Sequence, residues 1–175
     1  MKSSKRMMLA AILATVPCAA LAQALVTERS ISADAAREAA TAAQAQCRKG
    51  GHHVTVTVLD RFARARVVLN DDGSSPHSLE HSLRKAYTAL TYRTPSGEYG
   101  KRALANPTGI GALHLDKITT AAGGLPIRAG NEVVGAIGVS GSPGVPGSPA
   151  GSGGDADAVC AQAGIERIAE GLGGK

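Results

Sequence analysis

His77 and His81 stand four residues apart in a stretch without internal helix breakers. At that spacing both imidazoles project from one face of a helix. Such a pair can bind a divalent metal, and one imidazole alone can ligate haem iron. Arg84, Lys85 and Tyr87 follow on the same helix, and three of the four aromatic residues fall between Tyr87 and Tyr99. The other histidines are placed differently: His52 and His53 open a strand, and His114 is isolated in a loop. A solvated helix face is the plain alternative for the pair.

Other chemistry is absent or incomplete. Ser82-Leu83-Arg84-Lys85 has the S-x-x-K spacing of penicillin-recognising enzymes, but no S-D-N or K-T-G partner is present. It reads as a helix face carrying one Ser and one Lys. Gly135, Gly138 and Gly141 are three apart and do not form a dinucleotide fingerprint. They read as positions where another backbone approaches a sheet closely. There is no phosphate-binding P-loop, no G-x-S-x-G, and no C-x-x-C-H for covalent haem. Nothing pairs a nucleophile with a base.

The elements that must hold these residues follow from periodicity and punctuation. Ser32 caps an Ala-rich helix from Ala33 to Arg48, which Gly50-Gly51 ends. His53 to Asp60 alternates Val and Thr, as a strand with one buried face does. Ala65 to Asn70 is its hairpin partner. Ser75 and Pro76 fit the N-cap and N1 of a helix from His77 to Arg93. A short helix, Glu98 to Ala105, follows the Pro95 break. Lys117–Ala121, Leu125–Ala129 and Glu132–Ser140 read as three more strands, the last two joined at Gly130-Asn131. Residues 142–156 are Ser/Gly/Pro-rich and read as a flexible insertion. A last helix runs from Asp155 to about Glu170, with Asp155 or Asp157 at its positive end. The expected fold is a single α/β (α+β) domain, 23–175. It has a five-stranded, mostly antiparallel sheet covered by helices, in the order α-β-β-α-(α)-β-β-β-α.

Residues 1–22 read as a signal peptide rather than structure. Lys2, Lys5 and Arg6 precede an apolar run from Met7 to Val16, and Ala20-Leu21-Ala22 fits a cleavage site. The expected location is periplasmic or secreted, with no stable membrane insertion after cleavage, because the run is short of the ~20 residues a span needs. Cleavage removes those three cations and no acid, so the formal charge of +5 falls to +2. A near-neutral chain with 2% aromatics is a poor nucleic-acid binder. Cleavage also removes Met1, Met7, Met8 and Cys18. Iron ligation would then fall to His, Tyr or a Cys thiolate. Cys47 and Cys160 remain, either as a disulfide pair in an oxidising compartment or as two small buried hydrophobes.

Several stretches share one resemblance. They are Cys47-Arg48-Lys49-Gly50-Gly51 before Val54–Asp60, Pro76-His77-Ser78-Leu79, Arg84-Lys85-Ala86-Tyr87-Thr88-Ala89, Gly135-Ala136-Ile137-Gly138-Val139-Ser140-Gly141, and Cys160-Ala161-Gln162-Ala163-Gly164-Ile165. Together they resemble the GlcG/HbpS-like haem-binding family, which is similar to the C-terminal domain of PduO-type proteins. The resemblance spans about residues 30–170. It implies a profilin-like α/β sandwich, self-association into a homo-oligomer, and haem or a related tetrapyrrole as ligand. Haem ligation is not uniform across the family, so the resemblance carries over no ligand. His77, at a helix start where the dipole disfavours a protonated imidazole, is the expected iron ligand, with His81, Arg84, Lys85 and Tyr87 near the cofactor and Arg84 and Lys85 able to pair with its propionates. Lys85 and Tyr87 would otherwise serve packing or assembly. The long segment 142–156 departs from the short glycine-rich turn of the family. The function implied is an exported haem binder acting as scavenger, buffer or sensor input. The alternatives are a haem-degrading or small-molecule enzyme, or a cofactor-free oligomeric module that binds partners.

Overall fold

A computed structural model describes residues 24–143 and 153–173. The signal-peptide reading, and most of the insertion at 142–156, lie outside these residues. The elements are α1 (Ala33–Lys49), β1 (Thr55–Asp60), β2 (Ala65–Asn70), α2 (Ser78–Tyr92), α3 (Ser96–Ala105), a 3-10 segment (Pro107–His114), β3 (Gly124–Ala129), β4 (Glu132–Ser140), α4 (Gly153–Arg167) and α5 (Ala169–Leu172).

The sheet has four strands in the order β2-β1-β4-β3, every neighbour antiparallel. The expected fifth strand, Lys117–Ala121, does not form. Lys117 takes a left-handed φ of 65° and Ile118 N–H bonds back to Leu115 O. The segment then docks on helix side chains: Thr119 N–H donates to Thr88 Oγ1, and Ala121 O accepts from Ser96 Oγ. With its polar backbone groups already engaged there, the segment has no need of a ladder.

The two faces of the sheet are packed differently. Val54, Val56, Val58, Ile137 and Val139 meet Ala36, Ala39, Ala40, Ala43 and Ala161 of α1 and α4 in the main apolar core. The Cys47–Cys160 disulfide joins these two helices, 113 residues apart in sequence. Closing a loop of that length removes much freedom from the unfolded chain.

The opposite face carries α2, and here the Val/Thr alternation misleads. Every residue of β1 is buried, threonines included. Thr55 and Thr57 point toward α2 and hydrogen-bond the Ser78 and Ser82 hydroxyls at 2.7 and 2.8 Å. A small hydroxyl-bearing side chain on each partner lets helix and sheet approach without orphaning a polar group. Glycine brings them closer still. A Cβ on Gly138 would stand 2.1 Å from Ser82 O, and one on Gly124 would stand 2.0 Å from Lys85 O. Gly138 thus does what the three-residue glycine spacing suggested, admitting a neighbouring backbone.

Helix boundaries shift where capping decides them. Ser75 does not cap α2. Its carbonyl instead accepts from both Ser78 N–H and Ser78 Oγ, so Pro76 and His77 form a preceding turn and the helix starts at Ser78. Arg93, at φ 53°, ends it. Segment 107–114, which includes His114 placed in a loop above, coils into 3-10 turns capped by the Asn106 side chain.

Gly138→Ala forces a Cβ into the Ser82 carbonyl, and overpacking of this kind costs about 1–3 kcal/mol or more. Urea unfolding is expected to show at least that loss for G138A, and little change for Gly111→Ala, where a Cβ meets nothing within 4 Å.

Candidate functional site

One face of α2 descends into the protein. His77, His81 and Lys85 follow at four-residue steps, and their exposure falls along the series: His77 is exposed, His81 half-buried and Lys85 2% exposed. All three line one cleft of about 340 Å³, together with Ser75, Ala121, Ser140, Ser142, Gly154 and Asp157. The cleft lies where α2, the end of β4 and the start of α4 meet.

Its floor is an ion pair. Lys85 Nζ stands 2.6 Å from Asp157 Oδ2, each side chain 3% exposed. Desolvation pushes the Lys85 ammonium below its ordinary range, while the charge and hydrogen bond of Asp157 oppose that shift. Asp157 Oδ1 also accepts the Ser142 N–H at 3.0 Å, which fixes the chain as it leaves β4. The disulfide lies close by: Cys47 Sγ is 3.8 Å from Ser142 Oγ, and Cys160 is three residues along α4 from Asp157.

His81 is held on both sides. Its Nε2 lies 3.2 Å from Thr119 Oγ1 and its Nδ1 3.4 Å from Ser140 Oγ. Burial first, then the Lys85 ammonium and His77, lower its pKa from 6.5 to about 4. His81 is therefore neutral at physiological pH, with both nitrogens engaged. The His77 ring lies with its centroid 6.3 Å from that of His81, at the open rim, and does not cap the helix.

The remaining residues expected near a ligand fall elsewhere. Arg84 pairs with Glu80 at 2.6 Å on the outer surface of α2. Tyr87 points away from the cleft and packs against Leu59, Ala86 and Ala89, under the Lys117 ammonium at 5.5 Å. So the helix brings His77, His81 and Lys85 together and leaves Tyr87 out. Among the described residues, no group of three or more His, Cys, Asp or Glu could hold a metal ion, and no helix is long and apolar enough to cross a membrane.

The sequence matches over residues 31–166 the family described as "Haem degrading protein HbpS-like". The chain belongs to the HbpS-like family. It is 35% identical to HbpS in a crystal structure, with a TM-score of 0.72, covering 82% of this chain and 93% of that one. At 22% identity, two structures share the fold. The ORFY protein of Klebsiella pneumoniae has a TM-score of 0.75 over 85% of this chain and 97% of its own. A PduOC:heme complex has 0.66 over 79% and 95%. No curated protein matches the chain.

Within this HbpS-like chain, the residue that sequence reasoning missed is Asp157. It was read as one of two acids near a helix N-terminus. The available signal was Lys85, which falls on the buried side of an amphipathic α2 and so requires a carboxylate from another element.

Two outcomes are expected. Lys85→Met leaves Asp157 as an unpaired buried charge and costs about 3–5 kcal/mol in urea unfolding. Lys85→Met with Asp157→Leu recovers much of that loss. His81 has a folded pKa below its unfolded one, so its stabilising contribution is complete above pH 6.5 and is lost as pH falls toward about 4. Stability measured across that window declines in the parent protein and declines less in His81→Gln.

Proposed function

We propose that this protein is an exported haem-binding protein and that His77 supplies the iron ligand. The observation that carries the reading is the contrast between the two imidazoles of the cleft. His81 is neutral but spends both nitrogens on Thr119 and Ser140. His77 is exposed at the rim, where a planar ligand has access. Family membership supports the ligand, since the described family handles haem and one relative of the same fold is a haem complex.

The residues fit haem on one side of the ring system. His77 offers an imidazole to the iron. Arg84 lies seven residues further along the same outer stripe, a rise of about 10.5 Å. That separation suits a tetrapyrrole lying along α2 with a propionate at the Arg84 guanidinium, which would exchange its Glu80 partner. Lys85 is excluded from that role, because Asp157 already neutralises it below the surface. When bound, haem supplies iron able to coordinate and exchange electrons. The protein would contribute the His77 imidazole, the Arg84 cation and a polar cleft wall.

Among the described residues, the cleft lining contains no Phe, Tyr or Trp. A macrocycle resting there would keep one apolar face uncovered, so a second copy of the chain supplying the other wall is part of the proposal. The charged, apolar and small-residue series at 2–22 and the Cys47–Cys160 bridge support export to an oxidising compartment.

Titration of the purified protein with haemin is expected to give a Soret band with the signature of imidazole ligation. His77→Ala is expected to lose that signature and to bind at least tenfold more weakly, while His81→Ala keeps it. Unchanged spectrum and affinity in His77→Ala would remove His77 from the iron. A Soret band that persists at protein dilutions giving only monomer would remove the second wall.

A further inference from the structure

The turn that joins β1 to β2 holds the one phenylalanine of the chain where little covers it. The buried Asp60 carboxylate accepts the backbone N–H groups of Phe62 and Arg64 at 2.9 and 3.0 Å, and Ala63 takes a left-handed φ of 62°. A turn fastened this way keeps Phe62 at its outer side. The residue is 55% exposed, with the Arg64 guanidinium 5.0 Å from its ring centroid. The N-terminal tail arrives at the same end of the sheet. Arg61 Nε stands 3.3 Å from Glu28 Oε2, and the Arg61 backbone N–H donates to Ser30 Oγ. Leu25 and Val26, within three residues of Glu28, are 85% and 82% exposed. Three residues span at most about 11 Å, so these two side chains and Phe62 share one small area.

Arginines surround them. Arg61 is engaged by Glu28 and Glu132, and Arg64 by Asp60. Arg29, Arg66, Arg93 and Arg128 are exposed and make no ion pair among the described residues. Arg29 lies on the tail and Arg66 on the edge strand β2. Arg128 of β3 donates to the Arg93 carbonyl at the end of α2. These cations extend across the end of all four strands, a width of about 15 Å. One carboxylate without an ion pair among the described residues, Glu170, stands nearby in a cleft it lines with Arg29. Exposed apolar side chains set among unpaired guanidiniums match an interface that offers phosphate outside and hydrocarbon within. None of the three apolar side chains lines either cleft at this end. A folded partner therefore finds no groove around them, whereas a fluid interface needs none.

We propose that this end of the sheet binds the surface of an anionic phospholipid bilayer. Phe62, Leu25 and Val26 enter the headgroup boundary, and Arg29, Arg66, Arg93 and Arg128 face the lipid phosphates. Binding of this kind is peripheral and reversible and requires no spanning helix. The helix α2, Ser78–Tyr92, is about 22 Å long and ends beside Arg93. The His77 cleft at its other end therefore stands clear of the bilayer and open to a ligand. The attachment itself does not depend on haem.

The test uses the chain from Gln23, the exported form of the proposed function, without haem. It is sedimented with large vesicles of phosphatidylcholine, alone or with an equal part of phosphatidylglycerol. The protein is expected to sediment with the anionic vesicles only, and to be released by about 0.5 M sodium chloride. Phe62→Ala weakens the partitioning about tenfold. Arg66→Gln with Arg93→Gln weakens it about twenty-five-fold, roughly fivefold for each charge. Lys49→Gln with Arg102→Gln removes the same charge from exposed positions elsewhere, Arg102 lying near the exposed Leu104, and changes partitioning by less than about twofold. Circular dichroism confirms that each variant is folded. Equal sedimentation with both vesicle types, or no sedimentation with the anionic ones, overturns the proposal. So does an equal loss in the Lys49/Arg102 variant, which would make the attraction one of net charge. Binding to polyglutamate that Phe62→Ala weakens, with none to vesicles, would assign the surface to an acidic protein instead. A negative result here leaves the haemin titration untouched, so the two readings fail separately.

Discussion

A lysine ammonium cannot be taken out of water without a partner, and in this protein the partner comes from the other end of the chain. Lys85 sits 2% exposed because α2 is drawn onto the sheet at Gly138 and Gly124. A wider gap would let solvent reach the ammonium and weaken its need for Asp157. The close seating thus produces the buried charge, and the buried charge fixes where α4 must begin. Asp157 then serves two elements at once, through Lys85 on one oxygen and Ser142 N–H on the other. The disulfide secures the same stretch of α4 from the opposite side of the sheet. The ion pair by itself is weak as a source of net stability, since its attraction is offset by desolvation. Its contribution is to exclude arrangements in which either charge is buried alone.

That constraint orders the cleft. Three residues at four-residue steps on one helix face cannot share one environment when the helix is inclined into a corner of the protein. Lys85 becomes structural, His81 becomes a neutral strut between Thr119 and Ser140, and only His77 keeps an unrestricted approach. The low pKa of His81 follows from the same arrangement: burial and the nearby ammonium both oppose a second positive charge. A neutral His81 also leaves no permanent cation between the rim and the ion pair at the floor.

How much of this was legible follows the range of each signal. The α1 helix, both hairpins and the doubly covered β4 were readable because caps, glycines and periodicity act within a few residues. The Val/Thr alternation read as one buried face, because it cannot distinguish a wet second face from one occupied by serines of a later helix. Lys117–Ala121 has strand-like composition, but its backbone is satisfied by Thr88 and Ser96, far away in sequence. Asp157 was invisible as a site residue for the same reason. Its partner is 72 residues away, and nothing local separates it from Asp155. His77 and His81 were found because their relation is a helical spacing. Their different roles depend on Thr119 and Ser140, which no local pattern announces.

The scarcity of aromatics gains a physical meaning from where they sit. Tyr87, Tyr92 and Tyr99 all belong to the cluster at the far end of α2, and Phe62 is exposed in the β1–β2 turn. None lines the His77 cleft. A flat apolar ligand gains most when both faces leave water, and this cleft offers polar hydroxyls, backbone and one accessible imidazole. Under the proposed reading, the first contact with such a ligand rests on coordination and on the charge at Arg84 rather than on hydrophobic enclosure. A single copy built this way favours a ligand that can be passed on over one that is locked away. Enclosure, if the task demands it, has to come from a surface outside the chain.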